Sequence, residues 1–302
     1  MKAILYFCPV LAGICWGSTG MFVRTLSQAG FDNLTITFSR SAVCCIIIVL
    51  LILLKNGRGC VEKLKINPKD LPFFISYSVS GCLLMNLCYN YALNMLSMSF
   101  ASVLLSLCPF FVLVFSRFLF NEKITGVKIL CLITAVAGCV LLSGISEKND
   151  TEWNFIGMCF GLGSAVFYAL FTVHSKQLSV KNYDTITISL YFFLITTILL
   201  VPFAEWECMG TFTASDPVKS ILFYILHAVV VSFLPNYLFN WSMTRMDSGK
   251  ISILSGGAEP AAALLFGAVF YSEPVSVHGL AGLALVIAAI SLLIKFEKAD
   301  NK

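Results

Sequence analysis

Apolar residues occur along this chain in long runs that short polar stretches separate. A helix rises about 1.5 Å per residue, so about 20 residues cross the roughly 30 Å apolar core of a bilayer. Lipid offers the backbone no hydrogen-bond partners, and runs of this length therefore predict membrane-spanning helices. Ten such runs occur, at about residues 4–25, 34–54, 71–93, 99–119, 125–144, 155–176, 185–204, 219–241, 251–271 and 276–295.

The pattern repeats halfway along the chain, because both halves contain P-x3-L-x-F-x6-E. The first copy runs from Pro109 to Glu122 and the second from Pro260 to Glu273. Five spans per half is an odd number, so the second half must begin on the opposite side of the membrane. The sequence thus predicts an all-α integral membrane protein whose ten transmembrane helices form two inverted five-helix repeats, residues 1–146 and 152–298. Secondary transporters commonly use inverted repeats for alternating access.

Composition and charge narrow the class further. Hydrophobic residues make up 58% of the 302 residues. Charged residues make up only 12%, which is too small a share for a water-soluble surface. The net charge is only +4 and the charged residues lie between the apolar runs, which predicts no nucleic-acid partner. A cytoplasmic N-terminus would put 16 of the 20 Lys and Arg residues inside, so we expect both termini in the cytoplasm and a multi-pass location in the plasma (inner) membrane. The 12 cysteines lack metal-ligand spacing, and we expect no metal and no cofactor.

Three motifs carry a resemblance to a known family: W-G-S at 16–18, Y-A-L at 91–93, and the proline-to-glutamate spacing in each half. With them, the chain resembles the EamA-type transporters of the drug/metabolite transporter superfamily. The resemblance implies a ten-helix bundle with a central cavity formed by helices 1, 3, 4, 6, 8 and 9. It also implies export of amino acids or related metabolites.

Two charged residues lie within predicted spans, where a charge costs roughly 2.5 to 3.5 kcal/mol at mid-bilayer. Glu259 lies about 13 Å along span 9 from Lys250. It could carry a proton, pair with a cationic substrate group, donate a hydrogen bond when neutral, or be a structural carboxylate. Arg40 lies about 10 Å into span 2, where its bidentate donors suit a substrate carboxylate. A structural ion pair or a snorkelling side chain is the alternative for Arg40.

Polar residues on several spans predict a substrate cavity. Asn86 and Asn90 share one face of span 3 because they are four residues apart, with Tyr89 between them, and Asn236 and Asn240 repeat this pattern on span 8. The alternative is that these amides hold helices together. Further candidates for the cavity wall are Trp16, Ser102, Ser106 and Tyr168.

The repeated prolines and glutamates are candidates for moving parts. Pro109 and Pro260 each remove a backbone donor within a span, which predicts matching kinks or hinges in the two halves. Glu122 and Glu273 end spans 4 and 9 at opposite membrane faces and are candidates for a gate or an anchor.

Other functional classes find less support in the sequence. It contains no H-E-x-x-H, no G-x-S-x-G and no nucleotide-binding G-x-x-x-x-G-K-[ST], and no filter-like loop indicates a channel. We therefore predict a non-enzymatic secondary transporter of small metabolites, most simply an exporter of amino acids or related compounds, with protons as a candidate coupling ion. Cationic multidrug export, an intramembrane enzyme and a channel are the alternatives. The oligomeric state stays open.

Overall fold

The computed structural model describes residues 2–54, 64–96, 98–142, 154–272 and 275–300. These residues form helices and short connections. The first half contains α1 (Lys2–Gly17), α2 (Thr19–Gln28), α3 (Asn33–Leu54), a 3-10 turn (Pro68–Asp70), α4 (Leu71–Ser78), a π-helical segment (Val79–Leu84), α5 (Met85–Met95), α6 (Met98–Leu105), α7 (Cys108–Phe120) and α8 (Gly126–Leu142).

The second half is built from similar lengths of helix. It contains α9 (Phe155–Val180), α10 (Thr185–Leu200), a 3-10 turn (Val201–Phe203), α11 (Trp206–Ser215), α12 (Pro217–His227), a π-helical segment (Ala228–Phe233), α13 (Leu234–Met243), α14 (Ser248–Tyr271) and α15 (Val277–Asp300).

The lengths and composition of these helices match a membrane protein. Within the described ranges, nine helical stretches are long and apolar enough to cross a bilayer. They coincide with nine of the ten predicted spans. The remaining predicted span, at 125–144, corresponds to the shorter apolar helix Gly126–Leu142. Leu142 is also the last described residue of its range, 98–142. Large apolar side chains such as Leu54, Phe118 and Val277 are more than four-fifths exposed, as lipid-facing residues would be.

The helices pack into one bundle around an aromatic core. Helix α1 packs on α13 and α14, while α9 packs on α4 to α7. Helix α3 packs on α10, α7 on α14, and α8 on α15. Tyr77 stacks on Phe171 with ring centroids 4.8 Å apart, and Phe239 lies 5.8 Å from the same Phe171 ring. This core brings the middles of spans 3, 6 and 8 together.

Two predicted spans are interrupted rather than continuous. Span 1 breaks between α1 and α2 at Ser18, whose buried hydroxyl donates to the Cys15 carbonyl at 2.6 Å. Span 4 breaks between α6 and α7, and Pro109 lies in the first turn of α7. Pro109 therefore lies at a helix start rather than in mid-helix as expected, and there the missing proline N–H leaves no bond unmade. The prediction of a hinge at Pro109 stays a prediction. Pro260 does lie inside a continuous helix, α14.

Spans 3 and 8 each contain a π-helical segment at their centre, which periodicity did not predict. A π segment adds a residue to a helical turn and turns the following side chains to a new face. Asn86 and Asn90 follow the segment Val79–Leu84, and Asn236 and Asn240 follow the segment Ala228–Phe233. The similar sequence patterns on these two spans thus start from similar backbone irregularities.

Candidate substrate site

Four side chains from four helices meet near the middle of the bundle, and we call them the Glu259 cluster: Trp16 on α1, Tyr89 on α5, Tyr168 on α9 and Glu259 on α14. The rings of Trp16 and Tyr168 meet edge to face with centroids 6.4 Å apart. The Glu259 carboxyl lies within electrostatic range of both tyrosine hydroxyls. All four side chains are half-buried. The structure therefore brings together four residues that the sequence had placed in one cavity.

Close packing of α1 against α14 positions this cluster. Gly17 follows Trp16 directly, and a Cβ atom at Gly17 would lie 2.5 Å from the Glu259 carbonyl oxygen and 2.8 Å from the Ala262 Cβ. Only glycine allows this approach of the two helices. The W-G pair thus places an indole ring and leaves room for the Glu259 backbone.

Glu259 makes no hydrogen bond or ion pair with any residue that the structure describes. Its surroundings are instead the two tyrosines and the thiols of Cys108 and Cys139. A carboxyl at this depth normally has a partner, because an isolated charge in apolar surroundings is unfavourable. This geometry suits a site where a proton or a cationic solute group supplies the missing interaction.

The predicted cavity residues on spans 3 and 4 have local contacts in their own helices. Asn86 and Asn90 are half-buried on α5, one on each side of Tyr89 in sequence, and the Asn86 amide donates to the Cys82 carbonyl at 2.5 Å. Ser106 lies at the break between α6 and α7 and donates to the Val103 carbonyl at 2.7 Å, so its hydroxyl satisfies the interrupted backbone. Ser102 belongs to α6, but its side chain is outside the described part.

Asn236 and Asn240 are buried between helices, and this arrangement favours helix packing over the cavity interpretation. Both side chains are buried, at 4% and 0% exposure. The Asn240 amide donates to Asn236 Oδ1 at 2.6 Å, and Asn240 Oδ1 accepts from Ser175 at 2.5 Å and from the Tyr77 hydroxyl at 3.2 Å. The pair therefore joins spans 3, 6 and 8 through a satisfied network.

Arg40 lies apart from the Glu259 cluster. Its electrostatic neighbours are the thiols of Cys44 and Cys82 and the imidazole of His227. The predicted cavity thus divides into a carboxyl-containing part and an arginine-containing part. His227 was not among the predicted site residues, because a single histidine in an apolar run gives no pattern signal.

At one end of the bundle, the residues that follow α7 contact the start of α14 directly, and we call this contact the Glu122 closure. Glu122 follows α7, and its Oε1 accepts from the Ser248 N–H and the Ser248 hydroxyl, each at 2.9 Å. Glu122 Oε2 accepts from the Gly249 N–H at 3.4 Å. The Ser116 and Ser248 hydroxyls lie 2.6 Å apart. A carboxylate from one half thus caps the helix start of the other, where unpaired N–H groups favour an anion. The second predicted gate residue, Glu273, lies outside the described residues.

An ion-pair group supports the same end of the bundle. The buried Lys128 Nζ and the Lys250 Nζ each lie 3.0 Å from Asp247 Oδ2. Partial burial by itself raises the pKa of Asp247, but these two lysines outweigh it and hold the pKa below its ordinary value. A cleft of about 410 Å³ opens here, with a wall that includes Glu122, Lys128, Asp247 and Lys250. Sequence patterns did not indicate this group, because Lys128 and Asp247 are 119 residues apart in the chain.

Metal binding finds no support in the part of the chain that the structure describes. There, no three or more His, Cys, Asp or Glu side chains are arranged to hold a metal ion.

Comparison with known proteins gives this geometry a context. An uncharacterized transporter of Archaeoglobus fulgidus is 27% identical over 231 residues, covering 76% of this chain and 80% of the relative. The pseudopaline exporter CntI of Pseudomonas aeruginosa is 24% identical over 290 residues, covering 96% and 95%. A probable sugar phosphate/phosphate translocator of Arabidopsis thaliana is 24% identical over 219 residues, covering 70% and 69%.

Structural similarity extends over the whole chain. A crystal structure of a protein superposes with a TM-score of 0.78 at 16% identity and covers 100% of both chains, which shows that the fold is shared. The model of the EamA-like transporter family matches residues 1–144 and again residues 155–295. With its apolar helices, the chain is a multi-pass membrane protein of the transporter class, and it belongs to the EamA-like transporter family.

Proposed function

We propose that this protein exports amino acids or related compounds by alternating access, with the Glu259 cluster as its binding site. The observation that carries the proposal is the Glu259 carboxyl, which lies in the middle of a spanning helix without a partner in the described structure. Carboxyls in membrane interiors typically mark substrate or proton pathways. The surrounding aromatic rings and the Asn86 and Asn90 amides supply the walls of a small-molecule site.

We also propose that the two halves, residues 1–146 and 152–298, are inverted repeats. The helix packing supports this symmetry, because α1 of the first half packs on spans 8 and 9 of the second, while α9 packs on spans 3 and 4. The pairs α3 with α10, α7 with α14, and α8 with α15 join corresponding spans of the two halves. The two matches to one family model support it as well.

The chemistry at Glu259 fits a solute that carries an ammonium group. A carboxylate can pair with the ammonium, and the faces of Trp16 and Tyr168 offer cation–π contact worth about 0.5 to 2 kcal/mol. When the solute leaves, a proton can neutralise the carboxyl, which keeps the empty site from holding an unpaired charge. Binding of solute and proton to the same group would couple their movements in opposite directions.

Other features support a direction and an orientation. The relative named as an exporter supports outward transport. The excess of Lys and Arg supports cytoplasmic termini in a plasma (inner) membrane, and it assigns the Glu122 closure to the cytoplasmic side. In this assignment, the Glu122 closure lies on the cytoplasmic side of the Glu259 cluster.

The experiment is counterflow in proteoliposomes with purified protein, an amino-acid mixture inside, and an imposed pH gradient. Glu259→Gln keeps the shape of the side chain but removes its charge and its proton exchange. We expect it to lose the response to the gradient and to bind solute about 10- to 100-fold more weakly, as loss of a charge-assisted hydrogen bond would give. The matched control is Glu207→Gln on exposed α11, which should behave as wild type. An unchanged gradient response in Glu259→Gln would refute the proposal.

Cationic multidrug export is the second candidate, and the aromatic surroundings of Glu259 favour it. An organic cation would use the same carboxylate and rings without needing a partner for a solute carboxylate. Counterflow with an organic cation in place of the amino acids distinguishes the two candidates.

A further inference from the structure

A second set of polar side chains lies between spans 1, 2, 3 and 8. Arg40 is half-buried on α3, near the Cys44 and Cys82 thiols. His227, at the end of α12, is 0% exposed and within electrostatic range of Arg40. The ring of Phe22 on α2 stacks on the His227 imidazole with centroids 5.2 Å apart and an angle of 15°.

These side chains lack the partners that their burial demands. Neither ring nitrogen of His227 has a hydrogen-bond partner among the described residues. The Arg40 guanidinium likewise makes no hydrogen bond or ion pair within the described ranges, and its electrostatic neighbours include no carboxylate. A guanidinium has five donors, and buried charges in proteins are normally paired. A group that accepts hydrogen bonds and carries negative charge would satisfy both side chains.

We propose that Arg40 and His227 form an anion-binding pocket, separate from the Glu259 cluster, that takes a carboxylate or a small inorganic anion. The planar guanidinium can hold a carboxylate through two parallel hydrogen bonds. A ring N–H of His227 can donate to the same anion. The thiols of Cys44 and Cys82 are only weak hydrogen-bonding groups. The pocket therefore recognises its ligand through Arg40 and His227.

The spacing of the two sites defines which solutes could occupy both. Cys82 is within electrostatic range of Arg40, and Tyr89 is within electrostatic range of Glu259. Cys82 and Tyr89 are seven residues apart on span 3, about 10 Å along its axis. An α-amino acid carries its two charges on neighbouring carbons and would reach only one site. A longer zwitterion such as a dipeptide would place its ammonium at Glu259 and its carboxylate at Arg40, with Asn86 between them. Binding of a transported solute to both sites rests on the proposed function, whereas binding of a free anion at Arg40 does not.

Thermal unfolding of the purified full-length protein in detergent tests the pocket without requiring transport. The starting buffer contains a bulky sulfonate as its only anion, and chloride, acetate or glycylglycine is then added at constant ionic strength. A ligand at about ten times its Kd should raise the Tm of wild type by about 3 °C. Arg40→Gln should abolish this rise, Arg40→Lys should keep part of it, and exposed Arg117→Gln should respond as wild type.

The outcomes separate the sources of the anion. An Arg40-dependent rise with chloride or acetate identifies a free anion as the ligand. A rise with glycylglycine alone that disappears in both Arg40→Gln and Glu259→Gln identifies the solute carboxylate. If no added anion gives a rise in Tm that depends on Arg40, the proposed pocket is wrong. If glycylglycine raises the Tm and this rise depends on Glu259 but not on Arg40, the pocket is also wrong, whereas the proposed function still holds.

A second readout covers variants that fold poorly. In the starting buffer, Arg40→Gln should be at least as stable as wild type, because it removes a buried charge that has no partner there. A clear drop in its Tm under these conditions would show that Arg40 is a structural partner of the protein itself and would overturn the pocket.

Discussion

At the scale of single residues, similar polar side chains in apolar helices have different roles here, and their partners decide which. Glu259 lies among tyrosines and thiols without a hydrogen bond in the described structure, which is suited to exchanging a proton or a solute. Asn240 is 0% exposed and fully engaged with neighbouring helices. Spacing on a helix face identifies both as polar positions, but only the surrounding helices determine whether a side chain is satisfied.

Replacing Asn240 tests its structural role. We expect Asn240→Ala to lower the free energy of unfolding by about 1 to 2 kcal/mol, because Asn236, Ser175 and Tyr77 each lose a buried partner. Counterflow per folded molecule should stay near that of wild type. Unfolding in detergent measures the first quantity, with exposed Asn33→Ala as the control. If Asn240→Ala instead left stability unchanged and weakened solute binding, Asn240 would belong to the cavity after all.

At the scale of helices, the sequence predicted where most spans lie but not how they are interrupted. Long apolar runs located nine spans to within a few residues. The breaks at Ser18 and before Cys108, the two π segments and the short helix α11 were not predicted. Such features depend on tertiary contacts, for instance the Ser18 hydroxyl bonding the Cys15 carbonyl, and they leave the hydrophobic pattern unchanged. Pro109 shows the same limit, since a proline begins a helix as readily as it kinks one.

The contact of α1 with α14 can be tested through its glycines. A Cβ at Gly17 would meet the Glu259 carbonyl and Ala262, so we expect Gly17→Ala to separate the helices and lower stability by about 1 to 3 kcal/mol. Because Glu259 moves with α14, counterflow should fall as well. A Cβ at Gly20 would meet no described atom of another helix within 4 Å, and Gly20→Ala should be neutral or stabilising by up to about 1 kcal/mol. Equal effects of the two substitutions, measured by Tm and counterflow, would contradict a tight α1–α14 contact.

At the scale of the whole molecule, polar contacts divide the bundle into parts with different tasks. The Asn236–Asn240 network joins spans 3, 6 and 8 internally, whereas the Glu122 closure joins the end of α7 to the start of α14. The closure uses hydrogen bonds between groups that water can also satisfy, so it can open without leaving buried groups unpaired. A carrier requires such a reversible contact between its two halves. The repeated P-x3-L-x-F-x6-E pattern indicated Glu122, although the sequence could not show that its partner is Ser248.

Alternating access itself is tested most directly by locking the Glu122 closure. In Ser116→Cys/Ser248→Cys, the two sulfurs replace hydroxyls that lie 2.6 Å apart, so mild oxidation should join α7 to α14. Wild type and the two single variants, treated with the same oxidant, control for the native cysteines. We predict that the oxidised double variant loses at least about tenfold in counterflow and that a reductant restores it, because the closure must open in every cycle. Counterflow that continues in protein shown to be fully cross-linked would contradict alternating access through this end of the bundle.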